Sequence, residues 1–150
     1  MNTADHSLTL IDLALRRRFT FVEMLPQTEK LCVVQGLDIG KVLSRLNTRL
    51  NLLLDSDHQI GHSYLLSVAD DDLAGLSFVW NYRIVPLLQE YFYNNSERLH
   101  ALLGKEFMRP IDVDAATKKA LEDVYHEENP RYEFIPLSQD ELLEALKKFV

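Results

Sequence analysis

The sequence is poor in residues with special chemistry, and each shortage excludes a class of protein. Its 150 residues include one cysteine, Cys32, so no internal disulfide can form, which is typical of a reducing cytoplasm. No apolar run approaches the roughly 18 residues that span a bilayer. The first residues include Asp5 and lack the basic and then apolar pattern of a secretion signal. We therefore expect a cytoplasmic protein without membrane segments.

Glycine is also scarce, and none of the five glycines belongs to a phosphate-binding loop of the form G-x-x-x-x-G-K-[ST]. Neither Gly40-Lys41-Val42 nor Gly104-Lys105-Glu106 fits it, and no apolar strand ends in a magnesium-binding Asp-Glu pair. A G-x-S-x-G nucleophile elbow is missing as well. The neighbours of Cys32 are apolar, which disfavours a reactive thiolate. The sequence thus predicts no self-contained active site.

The negative charge is unevenly placed along the chain. Residues 1–50 hold seven Lys/Arg and five Asp/Glu, whereas residues 51–150 hold nine and eighteen, within a net charge of −7. An acidic surface repels the phosphate backbone of nucleic acids. We therefore expect any DNA contact to come from domains outside this chain.

Periodicity predicts a mainly α fold. Apolar residues at helical spacing predict a helix from Asp38, as its N-cap, to about Asp55. A second helix is predicted to start at Asp70–Asp72 and to be kinked or split near Val85 by Pro86. Ser138 and Glu141 form a capping-box pair before a final helix. The remaining predicted elements are helices at 7–15, 96–103 (ended by Gly104) and 114–127, a strand at 18–24, a connector at 105–113 and an extended segment at 131–136.

Several polar groups allow more than one interpretation. Basic residues recur every four positions at Lys41, Arg45 and Arg49. This row is either a solvated helix face or a face that contacts phosphate. His62 is either a hydrogen-bonded core histidine or a nucleotide-facing residue. His58 and His62 have the i, i+4 spacing of a zinc pair, but Gly61 and the absence of a neighbouring carboxylate disfavour a metal site. Asp70–Asp72 is most simply a helix N-terminal cluster, with a magnesium contact as the alternative.

Two motifs near the start suggest phosphoryl-transfer chemistry. The amide of Asn2 could orient a water molecule at a γ-phosphate, and Thr3 and Asp5 could hold that loop or read a base. Arg17 and Arg18 stand where cations could reach the nucleotide of a neighbouring subunit, as arginine fingers do. Taken singly, the first motif could be a helix cap and the arginines a solvated patch.

Together the motifs carry a family resemblance. The stretch M-N-T-A-D-H-S-L-T-L-I-D-L-A-L-R-R-R-F-T-F-V-E resembles the sensor-1 to arginine-finger region of the McrB family. These proteins are GTP-hydrolysing AAA+ subunits of modification-dependent (5-methylcytosine-specific) restriction systems. The segments 60–64 (I-G-H-S-Y) and 85–92 (V-P-L-L-Q-E-Y-F) are similar to parts of that family's helical lid. The resemblance covers residues 1 to about 103, and departs from the family's pattern at His6 and Gln59.

The resemblance implies a three-part organisation. Residues 1–27 would be the end of an AAA+ α/β subdomain with one helix and one strand, 28–104 a helical lid bundle, and 105–150 a short α/β appendage. Because the N-T-x-D motif would lie mid-domain in the family but follows Met1 directly here, we expect a fragment of a longer subunit.

The resemblance also implies functional roles. Asn2, Thr3 and Asp5 would serve guanine-nucleotide use, with Asn2 catalytic; Arg17 and Arg18 would act across the interface of a hexameric ring, and His62 would be a nucleotide-binding candidate. GTP and Mg²⁺ would belong to the complete protein and not to this chain alone, with ATP as an open alternative to GTP. Its partners would be other AAA+ subunits, a nuclease subunit and, through other domains, DNA.

A second interpretation of the same features is a non-catalytic adaptor derived from an AAA+ lid. Such a chain would keep the helical bundle and occupy a place in a ring without hydrolysing nucleotide. Whether the chain takes part in an enzyme is thus left open by the sequence.

Overall fold

The structure, a computed structural model, describes residues 24–120 and 130–150, together with Arg18, Thr20 and Val22. The helix predicted at 7–15, the odd-numbered positions of the predicted strand between 19 and 23, and the end of the helix predicted at 114–127 lie outside the described residues. Arg18, Thr20, Val22 and Met24 are exposed and carry no strand assignment.

The fold is mainly α, as predicted. The described residues form six helices: α1 (Ile39–Leu53), α2 (Leu73–Val79), α3 (Val85–Tyr91), α4 (Ser96–Leu103), α5 (Ala115–Ala120) and α6 (Gln139–Phe149). Two small antiparallel hairpins join β1 (Val33–Val34) to β2 (Leu37–Asp38) and β3 (Met108–Pro110) to β4 (Tyr132–Phe134). Across the described ranges, no helix has both the length and the apolar character needed to cross a bilayer.

Local capping residues that can be recognised in the sequence determine several of the helix ends. The Asp38 carboxylate caps α1 by accepting a hydrogen bond from the Lys41 N–H at 3.1 Å. Gly104 ends α4 with φ of 89°, a left-handed conformation that favours glycine. Ser138 and Glu141 form the predicted capping box, because each side chain accepts from the other residue's backbone N–H. These three predictions are confirmed.

The predicted split at Pro86 takes the form of a widened helical turn. Residues Trp80–Ile84 form a π-helical segment between α2 and α3, and Pro86 lies in the first turn of α3. Proline has no N–H to donate, and its ring clashes with the carbonyl four residues earlier. A π turn moves that carbonyl out of the way. The helix therefore continues past Pro86 with a local change in pitch.

The second hairpin was only half predicted. The extended segment 131–136 is confirmed in part as β4, but residues 105–113, predicted as a connector, contribute β3. In this pairing Arg109 lies opposite Glu133, and the Arg109 Nη2 lies 2.8 Å from the Glu133 Oε1. Strands so far apart in sequence give no local turn signal. This explains why sequence periodicity missed β3.

One hydrophobic core joins all the large described elements except α5. Helix α1 is its centre and buries Leu43, Leu46 and Leu50 completely. Helix α6 enters the same core through its apolar face, with Leu146 and Phe149 buried. The final helix of the segment predicted as an appendage therefore packs with α1, while the domain boundaries themselves stay a prediction.

Candidate functional site where the N-terminal segment meets the helices

Two of the six candidate site residues belong to the described structure. Asn2, Thr3, Asp5 and Arg17 lie outside it. Arg18 is exposed in a turn, and His62 is half-buried in a 3₁₀ turn, His62–Tyr64. The described part of the candidate site therefore consists of Arg18 and the surroundings of His62.

His62 ties its own segment to the incoming chain. The backbone N–H of Gln27 donates a hydrogen bond to the His62 Nδ1 at 3.3 Å. Since Nδ1 must offer a lone pair, this bond selects the neutral tautomer with its proton on Nε2. The structural partner predicted as one alternative for His62 is thus present. The nucleotide-binding role of His62 stays a prediction.

A glycine in α1 lets the incoming chain approach closely. The 3₁₀ turn Thr28–Lys30 packs on the first turn of α1, where Gly40 is buried. A Cβ atom at Gly40 would lie only 2.4 Å from the Thr28 carbonyl oxygen, so a larger residue cannot fit without movement of the backbone. Together with the Gln27–His62 bond, Gly40 sets the path by which the N-terminal segment reaches the helices. We call this region the junction: residues 24–31, Gly40 and residues 59–64.

A buried asparagine fixes the other side of the junction. The Asn47 Nδ2 donates to the Ile60 carbonyl at 2.9 Å, and the Ile60 N–H donates to the Asn47 Oδ1 at 2.7 Å. Asn47 is only 7% exposed, and this pair of bonds satisfies both its amide and the peptide groups of Ile60. Sequence reasoning missed Asn47, although a polar residue within the apolar stripe of α1 was the signal.

Asp55 and His58 connect the end of α1 to α3. The Asp55 Oδ1 accepts from the Asp57 N–H at 2.9 Å, from the His58 N–H at 3.2 Å, and contacts the His58 Nδ1 at 2.7 Å. The hydrogen bond to the His58 side chain is the main reason that the pKa of Asp55 lies below its usual range. The His58 ring packs edge-on against Tyr91, with ring centroids 4.9 Å apart. The two histidines that share zinc-like spacing are therefore held by different partners.

The basic row of α1 is not uniform. Lys41 and Arg45 are exposed, as expected for a solvated face. Arg49 contradicts both interpretations of the row, because it is half-buried and its Nη1 donates to the Leu102 carbonyl at 2.8 Å. Its guanidinium also lies over the Phe149 ring, 4.1 Å from the centroid. The guanidinium is partly buried and hydrogen-bonded, which the four-residue spacing cannot reveal. Arg49 therefore has a structural role in the fold.

The three aspartates at 70–72 have two different structural roles. Asp72 caps α2 by accepting from the Gly75 N–H at 2.8 Å, as the helix-start prediction requires. Asp70 and Asp71 instead accept backbone N–H groups of the first hairpin, from Val33 at 3.3 Å and Gln35 at 2.8 Å. Within the described ranges, no three His, Cys, Asp or Glu side chains are arranged to hold a metal ion.

Cys32 lies close to this acidic run. Partial burial is the main reason that the pKa of the Cys32 thiol is raised, and the charges of Asp70 and Asp72 raise it further. A thiol with a raised pKa is a poor nucleophile at neutral pH. The raised pKa therefore disfavours a reactive thiolate at Cys32, as its apolar neighbours in the sequence also do.

Comparison with known proteins agrees with this architecture. The family described as "McrB, alpha-helical lid domain" matches residues 38–100, from the N-cap of α1 to the middle of α4. These residues are similar to a McrB-type helical lid, and we call residues 38–100 the lid. The lid includes Asn47, the 60–64 segment and the π turn. Helix α6 lies beyond the matched residues, although it shares the lid's core.

A curated relative extends the similarity. The chain is 32% identical over 113 residues to the "Type IV methyl-directed restriction enzyme EcoKMcrB subunit" of Escherichia coli (strain K12). This similarity covers 63% of the chain and 25% of that protein. The chain thus matches about a quarter of the length of its McrB relative.

Proposed function

We propose that the chain is the lid-bearing part of an AAA+ subunit that hydrolyses GTP for a modification-dependent restriction system. The McrB-type lid at residues 38–100 is the observation that carries this proposal. Two further facts support it. The E. coli relative is named a subunit of a methyl-directed restriction enzyme, and the N-T-x-D and triple-arginine motifs precede the lid in the order that the family resemblance implies.

Residues of this chain would complete a nucleotide site without forming one alone. The sequence has no phosphate loop and no magnesium-binding Asp-Glu pair, so GTP and Mg²⁺ would be held by other parts of the assembly. Under the proposal, Asn2 orients the attacking water, and Thr3 and Asp5 support nucleotide recognition. Arg17 and Arg18 stabilise charge that develops on the phosphates of a neighbouring subunit.

The junction would set the position of these N-terminal residues relative to the lid. The Gln27–His62 bond and the close contact at Gly40 fix the last residues before the lid. Arg18 is exposed, as a residue that acts on another subunit must be. His62 would be a nucleotide-facing group through Nε2, because its Nδ1 is engaged by Gln27. The assembly would be a cytoplasmic hexameric ring that works with a nuclease subunit and contacts DNA through other domains.

The second candidate function is a non-catalytic adaptor. The core draws on residues from Val34 to Phe149, so the helical domain buries its own apolar face without a nucleotide-binding partner. Such a domain could join a ring of intact subunits and reduce their turnover.

A chimera tests the proposal. The region of the E. coli subunit that matches this chain is replaced by the whole chain, Arg17 and Arg18 included, and GTP hydrolysis is measured with purified protein. We expect turnover that falls by about 10³-fold or more in the Arg17→Ala or Arg18→Ala variant, the range seen for arginine fingers. Arg45→Ala, an exposed cation of the lid, is the matched control and should retain full turnover.

Two results would count against the proposal. If the chimera forms rings but both arginine variants keep full turnover, the arginine-finger assignment is wrong. If the chimera is inactive while the isolated chain inhibits GTP hydrolysis by the intact E. coli protein, the adaptor is the better account. The isolated chain by itself should show no GTP turnover.

A further inference from the structure

A cavity of about 410 Å³ lies beside the π turn, with Trp80 and Asn81 among its lining residues. Trp80, Asn81 and Val85 line one wall, and Phe107 and the extended segment 134–137 complete it. Its volume lies within the roughly 300–1,000 Å³ typical of small-molecule sites. Neither Arg18 nor His62 borders it, so the cavity is separate from the candidate site at the junction.

Two prolines shape this cavity. Pro86 requires the π turn at Trp80–Ile84, which changes the directions of the side chains along the helix. Pro136 lies in the opposite wall, between β4 and α6, where the chain is neither strand nor helix.

The indole of Trp80 has an unused hydrogen-bond donor. Trp80 is only 4% exposed, yet its N–H donates to no protein group within the described part of the chain. In the same part, no fully buried side-chain nitrogen or oxygen lacks a partner, so the indole nitrogen must be accessible to solvent. A second void beside Trp80 measures about 10 Å³ and has only aliphatic neighbours, such as Leu43 and Ile84. The cavity of about 410 Å³ that Trp80 also borders has room for a partner to this donor.

The remaining lining indicates the chemistry of a ligand. The Asn81 Nδ2 donates to the Ser77 Oγ at 3.3 Å, while the Asn81 Oδ1 accepts from no group in the described part of the chain. The other lining side chains are aromatic or aliphatic, and none is charged. A charged ligand would lose its hydration without gaining a counter-ion, which is costly. An uncharged ring with an acceptor and a donor fits the cavity best.

We propose that this cavity binds small, uncharged aromatic amides. The carbonyl oxygen of the ligand accepts from the Trp80 indole N–H, its amide N–H donates to the Asn81 Oδ1, and its ring packs against Phe107 and Phe134. The site uses no residue of the proposed nucleotide chemistry. The test of this amide-binding site is therefore independent of the test of the proposed function.

The indole N–H of Trp80 gives a direct readout, because Trp80 is the chain's one tryptophan. In ¹⁵N-labelled protein we expect benzamide to shift the single indole cross-peak saturably, with a Kd on the order of 1–10 mM for so small a ligand. Toluene has no acceptor and acetamide has no ring, so each should shift the cross-peak several-fold less at equal concentration. Acetophenone keeps the acceptor but lacks the N–H and should bind several-fold more weakly than benzamide.

Two variants test the location of the site. Val85→Phe fills the cavity and should abolish the benzamide shift, whereas Leu66→Phe, at an exposed position outside the cavity, should leave it unchanged. Asn81→Leu, at an exposed position of the rim, should remove the preference for benzamide over acetophenone without affecting folding. The proposal is overturned if benzamide leaves the indole cross-peak unmoved up to about 20 mM, which lies above the whole expected range of Kd. It is equally overturned if Asn81→Leu retains the full preference.

Discussion

The guanidinium carbon of Arg49 lies 4.1 Å from the centre of the Phe149 ring. The same guanidinium donates to the Leu102 carbonyl at 2.8 Å, near the end of α4. One side chain of α1 thus joins the last turn of α4 to the last turn of α6. Phe149 in turn packs edge-on against Phe107, with ring centroids 5.9 Å apart. The C-terminal helix is held to the lid by a cation and an aromatic ring as well as by its apolar face.

We expect Arg49→Ala to destabilise the protein by about 1–3 kcal/mol, from a lost hydrogen bond to a carbonyl and a lost cation–π contact. The stability of Arg49→Lys should lie between those of the parent and of Arg49→Ala, because an ammonium lacks the planar fork that reaches both partners. The free energy of unfolding from urea titration measures the effect. Arg45→Ala, one turn away and exposed, should stay within about 0.5 kcal/mol of the parent. Equal losses at the two arginines would contradict the special role of Arg49.

Asn47→Ala should be among the more damaging single changes in the lid. It leaves the N–H and the carbonyl of Ile60 buried without their partners, and we expect a loss of about 2–4 kcal/mol. Asn51→Ala is the matched control, because Asn51 lies one turn later on α1, is exposed, and accepts only from the Gln59 Nε2 at 3.3 Å. That variant should change the unfolding free energy by less than about 1 kcal/mol. Amide hydrogen exchange at Ile60 should accelerate in the Asn47 variant alone.

Much of the helical fold is predictable from the sequence because its determinants are local. Asp38, Gly104, Pro86 and the Ser138–Glu141 pair act within a few residues of themselves, through caps and missing donors. The roles of Asn47 and Arg49 were not predictable in the same way. Their partners, Ile60 and Leu102, lie 13 and 53 residues away, and only the packed fold brings them together.

The candidate site was less predictable than the fold. For His62, the sequence left a structural and a nucleotide-facing role open, and the Gln27 bond supplies a partner for one ring nitrogen only. In the sequence Gly40 belongs to a stretch that fails to match a phosphate loop, whereas its place under the Thr28 carbonyl is a matter of tertiary packing. Glycine in the first turn of an amphipathic helix is a signal of close approach, but it does not reveal what approaches.

Gly40→Ala should destabilise the junction although alanine is the better helix former. The added Cβ would lie 2.4 Å from the Thr28 carbonyl oxygen, and the backbone must move to relieve the overlap. We expect a net loss of about 1–3 kcal/mol, which outweighs the roughly 1 kcal/mol gained from helix propensity. At Gly61, whose φ is −70°, an added Cβ would make only an ordinary contact of 3.5 Å with the Ser63 Oγ. Gly61→Ala should therefore be nearly neutral, and a stabilised Gly40→Ala variant would refute the close contact.

A fall in pH should weaken the capping box of α6, because the Glu141 carboxylate becomes protonated. Hydrogen bonding from Ser138, first from its backbone N–H, lowers the pKa of Glu141 below its usual range. A carboxylate whose pKa is lower in the folded state stabilises the fold above its unfolded pKa of about 4.3, and that stabilisation is lost as the pH falls through the folded value. Glutamine accepts the same N–H at every pH, so Glu141→Gln should remove this contribution to the pH dependence.

The measurement is the difference in melting temperature between the parent and Glu141→Gln from pH 6 to pH 3. Asp55 and Asp114 also have lowered pKa values, so both proteins should lose stability in acid. Only the difference between the two proteins isolates Glu141. At pH 6 the parent should be the more stable, since its charge also interacts favourably with the N-terminus of α6. That advantage should shrink or reverse below about pH 4, where the parent carboxyl becomes protonated. A difference that stays constant over this range would show that the Ser138–Glu141 hydrogen bond does not depend on the carboxylate charge.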